Sequence, residues 1–190
     1  MTALSPRIPV KAVVFFLLWV ALLVLAYWYF FIKPQQWFDA SMQQPPRLAE
    51  SLQQRALRTL LLSHFPQLQS GRPWFVRFRQ DSCLCERFVE LYHRSIVAQS
   101  DSEVLQVVTL ELGSEGLDAG ERTLVHQLIP STPAVAVFDA KGNVVYFGPY
   151  HQDGICSADN SYLEPVLQAL AQGQPLTVLN TLVFGCFCPT

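Results

Sequence analysis

From Ala12 to Ile32 the chain runs AVVFFLLWVALLVLAYWYFFI, without one charged residue. A helix of this length spans about 30 Å, the thickness of a bilayer's hydrocarbon core, so the run reads as a transmembrane helix. Tyr27, Trp28 and Tyr29 near its far end, with Trp37 beyond, put amphipathic rings at headgroup level, and Lys33-Pro34 ends the helix. A cleaved signal peptide has a shorter apolar core and a small-x-small site. Here Phe38 and Asp39 precede the only candidates, Ala40 and Ser41, which favours an uncleaved anchor. Arg7 and Lys11 lie before the span and Lys33 alone lies close behind it, a bias that puts the N-terminus in the cytoplasm. The expected location is a bacterial inner membrane, crossed once, with the C-terminal domain in the oxidising periplasm.

The expected organisation is a cytoplasmic N-terminus (1–11), the transmembrane helix (12–32), a Gln- and Pro-rich linker (33–46), one domain (47–175) and a tail (176–190). The formal net charge of −2, without long runs of one sign, excludes a nucleic-acid partner. Nothing in the pattern sets an oligomeric state. Within the domain, Leu48, Leu52, Ala56 and Leu60 recur at helical spacing after Pro46, and Trp74 to Arg79 alternates as a strand. Leu84, Phe88, Leu91 and Ile96 mark one face of a helix, with Asp81 or Ser82 as its N-cap. Val104 to Leu110 is a second strand, and residues 117–129 hold a helix. Ala134–Asp139 and Asn143–Phe147 form a hairpin about Gly142, and residues 161–171 form a last helix. The order β-α-β-α-β-β-α predicts an α/β sandwich around a four-stranded mixed sheet flanked by helices.

Five cysteines complete the pattern: Cys83-Leu84-Cys85, Cys186-Phe187-Cys188 and the single Cys156. Pairs this tight point to thiol exchange or soft-metal binding. Residues i and i+2 do not share a helix face, so Cys83 and Cys85 can bond to each other only if Cys83 stays outside the regular helix. Such a small ring departs from preferred geometry and favours oxidation of other thiols. Arg77, Arg79 or Arg87 and the helix N-terminus can lower a thiol pKa, unless the arginines are solvated or paired with acids. The tail from Thr177 to Phe184 spans about 26 Å if extended, enough to return Cys186 and Cys188 to the first pair. Cys156, in the loop after the hairpin, is expected near the same pole.

The segments Phe78-Arg79-Gln80-Asp81-Ser82-Cys83-Leu84-Cys85 and Ser131-Thr132-Pro133-Ala134-Val135-Ala136-Val137-Phe138-Asp139-Ala140-Lys141-Gly142 resemble the thioredoxin fold, over roughly residues 70–172. The whole chain also resembles an uncharacterised family of membrane-anchored thioredoxin-like proteins with Cys-x-Cys motifs. The resemblance implies that Pro133 is a cis-proline facing the active cysteines and that Thr132 contacts substrate. Thioredoxins use Cys-x-x-Cys. Counting from Phe78 puts Cys83 at the nucleophile position, whereas matching Cys85 to the second cysteine leaves Ser82 there. The family's buried acid falls on Arg77, which reverses the charge.

Three functions are expected to compete. The first is a membrane-anchored thiol-disulfide oxidoreductase or isomerase acting on protein thiols or disulfides, without a cofactor. Its catalytic residues are Cys83, Cys85, Thr132 and Pro133, and Cys186, Cys188 or Cys156 resolves the mixed disulfide. The second is copper handling by Cys83, Cys85, Cys186 and Cys188, with His151 from the loop of Cys156 as a further ligand. Copper(I) is preferred to zinc because Cys-x-Cys is uncommon in structural zinc sites. The third is a non-catalytic binding module whose cysteines are all cross-linked. His64, His93 and His126 show no ligand spacing and read as structural or surface residues.

Overall fold

The computed structural model describes residues 9–68, 71–99, 104–113, 116–151 and 160–190. The chain divides into two compact units, Met1–Gln35 and Gln36–Thr190. In the first, α1 (Val10–Tyr27) continues as a π-helical turn, Trp28–Ile32, and no side chain of α1 is buried. By length and composition this helix fits a membrane span or a signal sequence.

The second unit is built on a sheet of five strands in the order β3-β2-β5-β6-β7. These are β2 (Trp74–Arg79), β3 (Gln106–Glu111), β5 (Ala134–Phe138), β6 (Val144–Gly148) and β7 (Val178–Leu179). β2 lies parallel to β3 and antiparallel to β5, β5 and β6 form the hairpin, and β7 runs parallel to β6. The helices are α2 (Ser51–His64), α3 (Glu86–Gln99), α4 (Ala119–Leu128) and α5 (Leu163–Ala171). Period-two alternation along β2 splits the core. Trp74, Val76 and Phe78 pack with Leu57, Leu60 and Leu61 of α2 and Val125 and Leu128 of α4. Phe75 packs with Val89, Tyr92 and Ile96 of α3 and Leu163 and Val166 of α5. The result is helix, sheet, helix in three layers.

The structure corrects the expected four strands to five, because the segment after α5 supplies β7. A parallel strand needs a crossover, and α5 provides it between β6 and β7. Gly148 admits this segment. Its φ is +154°, and a Cβ built there would lie 2.5 Å from Asn180 O. The Asn180 N–H meanwhile donates to Phe147 O at 2.7 Å.

Two helices begin later than the periodicity suggests. Leu48 is buried with φ of 63° and so stands outside α2, which starts at Ser51. α3 starts at Glu86, so neither Asp81 nor Ser82 caps it. The stretch expected as a linker contributes β1 (Gln35–Trp37), and after it come buried Phe38 and Asp39. Phe38 packs edge-on against Phe147 and Phe187 at centroid distances of 5.9 and 5.2 Å. Burial opposes the charge of Asp39, but hydrogen bonds from Ser41 and Arg47 outweigh it and hold the carboxyl below the usual range.

The segment 176–190 is thus part of the core. Val183 and Phe187 belong to the main apolar cluster. Phe38 N–H donates to Val183 O at 2.7 Å, and Asp39 N–H to Thr181 O at 3.2 Å. Replacing Phe187 with Ala removes a buried aromatic ring and is expected to cost about 3–5 kcal/mol. The urea midpoint of the oxidised protein measures it, and an unchanged midpoint excludes Phe187 as a core residue.

Candidate functional site

The first cysteine pair occupies the six-residue turn between β2 and α3. Cys83 N–H donates to Gln80 O at 3.0 Å, Glu86 N–H to Cys83 O at 3.3 Å and Phe88 N–H to Cys85 O at 3.1 Å. These three-residue closures keep Cys83 and Cys85 ahead of the regular helix, and both are buried, at 4% and 1% exposure. The second pair is delivered by two short strands, β8 (Phe184–Cys186) and β9 (Cys188–Pro189). β8 pairs with β1, and β9 pairs antiparallel with β4 (Ser131–Thr132), setting Cys188 opposite Thr132. Thr190 extends the pairing, its hydroxyl donating to Ile129 O at 2.6 Å.

Four sulfurs therefore meet in two bridges, Cys83–Cys188 and Cys85–Cys186, with Cα separations of 5.8 and 5.5 Å. The expected meeting of the two pairs occurs, but Cys83 and Cys85 are not bonded to each other. Each bonds across to the tail in antiparallel order. The Sγ atoms of Cys83, Cys85 and Cys188 lie within 4.8 Å of one another. Cys186 and Cys188 are half-buried, so the tail side of the cluster is nearer solvent.

The Thr132–Pro133 peptide bond is cis, as the resemblance implies. Thr132 O lies 3.6 Å from Cys83 Sγ, within reach of a thiol donor once that sulfur is reduced. Thr132 is fully buried, and its Oγ1 has no hydrogen-bond partner among the described residues. Cys156 lies outside the described residues. His151 stands apart from the sulfur cluster, its ring 4.6 Å from that of Tyr92 and stacked at 6.0 Å on Tyr150. Among the described residues it does not join the three sulfurs that lie within 4.8 Å of one another.

Arg77, in the position where the resemblance implied an acid, is 3% exposed. Its guanidinium meets Glu86 at 2.8 Å and Glu90 at 2.9 Å. The acid that β2 lacks thus comes from α3. Burial pushes the Glu86 carboxyl up, against the opposing pull of Arg77 and of Gln80 N–H. The hydrogen bond from Arg77 leads the causes that lower Glu90. Arg79 is paired with Asp81 and Glu111, so both strand arginines are committed to acids and not to the thiols. Sequence reasoning passed over Glu86 and Glu90. The available signal was a charge inside the apolar run Trp74-Phe75-Val76-Arg77-Phe78, which cannot be buried unpaired, followed by acids one helical turn apart.

The fold and the site define a mixed α/β domain that closes two adjacent disulfides across one end of its sheet. Residues 52–190 match the family described as "Domain of unknown function (DUF6436)", and the chain belongs to that family. No curated protein matches the chain. Among solved structures it is similar to a hypothetical protein of Sinorhizobium meliloti 1021, at 17% identity and a TM-score of 0.49, over 67% of this chain and 82% of that one. It is also similar to an uncharacterized conserved protein of Geobacillus kaustophilus, at 13% identity and a TM-score of 0.39, over 65% of this chain and 79% of that one. Neither likeness bears on function.

Two predictions follow from this geometry. Peptide mapping of the non-reduced protein is expected to join the Cys83 and Cys85 peptide to the Cys186 and Cys188 peptide; release of the two as separate peptides excludes the arrangement. Burial lowers the pKa of His151 to about 4, and burial together with Arg77 lowers that of His93 to about 4. In the unfolded chain both titrate near 6.5, so between about 6.5 and 4 the unfolded state binds more protons and stability falls as pH falls. Denaturant midpoints across that range should drop, and His151→Gln should flatten the slope. An unaltered slope excludes His151 as a buried neutral group.

Proposed function

We propose that this protein is a membrane-anchored thiol-disulfide oxidoreductase or isomerase, thioredoxin-like in fold, whose working unit is the pair of adjacent bridges. The anchor is the apolar helix Val10–Ile32, with the domain in the periplasm. The observation that carries the reading is the gathering of Cys83, Cys85 and Cys188 sulfurs within 4.8 Å, beside the cis Thr132–Pro133 bond. Stability alone does not call for two bridges here. By the chain-entropy relation, Cys83–Cys188 closes a loop worth about 5 kcal/mol, whereas Cys85–Cys186 then closes a ring of six residues worth about 2.

The exchange takes the following course. A substrate thiolate attacks the half-buried Cys188 Sγ, forming a mixed disulfide and releasing Cys83 as a thiolate. A second substrate thiol attacks the substrate sulfur of that mixed disulfide. The substrate leaves oxidised, and Cys188 is left reduced. The two electrons now reside on Cys83 and Cys188. The Cys83 thiolate can then attack Cys85 Sγ, forming Cys83–Cys85 and releasing Cys186, so that both bridges act as one unit. Thr132 O accepts a hydrogen bond from Cys83 while it is protonated.

A second reading, a binding module with structural disulfides, is favoured by Phe187, which fixes the tail in the core between the two half-cystines. One assay separates the readings. With a dithiol peptide as substrate, oxidoreduction predicts that Cys83→Ser, which lacks the Cys83–Cys188 bridge, lowers turnover at least about a hundredfold, and that a monothiol peptide, which has no second thiol to complete the exchange, is trapped on Cys188 of the bridged wild-type protein. Bridges that stay intact at mild reductant and trap no peptide overturn the oxidoreductase reading.

A further inference from the structure

Reduction of both bridges leaves four thiols on backbone that does not need the bridges to hold its place. Cys83 and Cys85 are fixed by the hydrogen-bonded turn into α3. Cys188 is fixed by its pairing with Thr132 and by the burial of neighbouring Phe187 at 6% exposure. Three ligand atoms already share a sphere of 4.8 Å, and among the described residues no histidine or carboxylate joins them. Cys186, bonded only to Cys85, stands outside that group.

We infer that the reduced protein binds one copper(I) ion through the thiolates of Cys83, Cys85 and Cys188. A trigonal site with metal–sulfur bonds of about 2.3 Å, the zinc–thiolate value, sets its sulfurs about 4 Å apart. All three sulfurs already lie within 4.8 Å of one another, and reduction of the Cys83–Cys188 bridge lets its two sulfurs part to van der Waals contact, close to that spacing. Three thiolates without nitrogen or oxygen suit a soft monovalent ion, whereas a structural zinc site requires four protein ligands. Cys83 and Cys85 immediately precede the N-terminus of the fourteen-residue α3, whose dipole favours thiolate over thiol. The site is absent from the oxidised protein because the same sulfurs are spent on the bridges. Two equivalents of a dithiol reductant convert it. They deliver four electrons and four protons, leave as two disulfides and yield four thiols. Binding of copper(I) then displaces three protons, from Cys83, Cys85 and Cys188.

The inference goes beyond the exchange reading and stands without it. The test uses the full chain in detergent, reduced under argon with a phosphine, desalted and titrated with copper(I) against a chromophoric copper(I) chelator. One copper per chain is expected, with Cys83→Ser and Cys188→Ser each losing at least about tenfold in competition and Cys186→Ser staying within about twofold. Should those variants not fold, alkylation of the wild-type protein gives the same answer. Copper protects Cys83, Cys85 and Cys188 and leaves Cys186 reactive. No retained copper, equal retention by Cys83→Ser, a loss on Cys186→Ser as large as the others, or preference for zinc in a parallel titration overturns the site. A protein that exchanges disulfides and binds no copper overturns this inference alone. One that binds copper and exchanges nothing overturns the oxidoreductase reading alone.

Discussion

Phe187 sits between two half-cystines and is buried in the main apolar cluster with Phe38 and Val183, and the rest of the site depends on that insertion. With the ring seated, the cysteines on either side have little choice of partner. Cys186 falls toward Cys85 and Cys188 toward Cys83, while β9 aligns with β4. Packing positions the sulfurs, and the covalent bonds follow. The tail is thus held by apolar packing and strand pairing as well as by its two bridges.

The buried cation on β2 is the second organising constraint. Arg77 in an apolar strand requires carboxylates, and Glu86 and Glu90 at the start of α3 supply them. The ion pairs tie the helix to the strand on the side of the sheet opposite the tail's core contacts. The Cys83–Cys85 turn is therefore held from both layers, by Arg77 and Glu86 on one side and by the disulfides on the other.

Much of this was legible in the residues. The run from Trp74 to Arg79 located β2 to the residue, and the Gly142 turn located the hairpin, because these strands are short apolar runs buried on both faces and bounded by turn residues. The convergence of the cysteine pairs followed from chain reach. The crossed connectivity did not, since it depends on the register of β9 against β4, two residues whose pairing leaves no periodic trace. β1 and β7 were missed for the same reason. Gln35-Gln36-Trp37 reads as linker and Val178-Leu179 is too short to alternate, so only long-range contacts make them strands.

The separation in sequence of the paired cysteines also orders events in the life of each molecule. About a hundred residues of synthesis lie between Cys85 and Cys186. At 5–20 residues per second, Cys83 and Cys85 emerge roughly 5–20 s before their partners exist. During that interval the two thiols are exposed to whatever oxidant or ion the compartment offers, and an early Cys83–Cys85 bond would have to be undone before the native bridges could close. The native bridges can therefore close only after nearly the whole chain has been made.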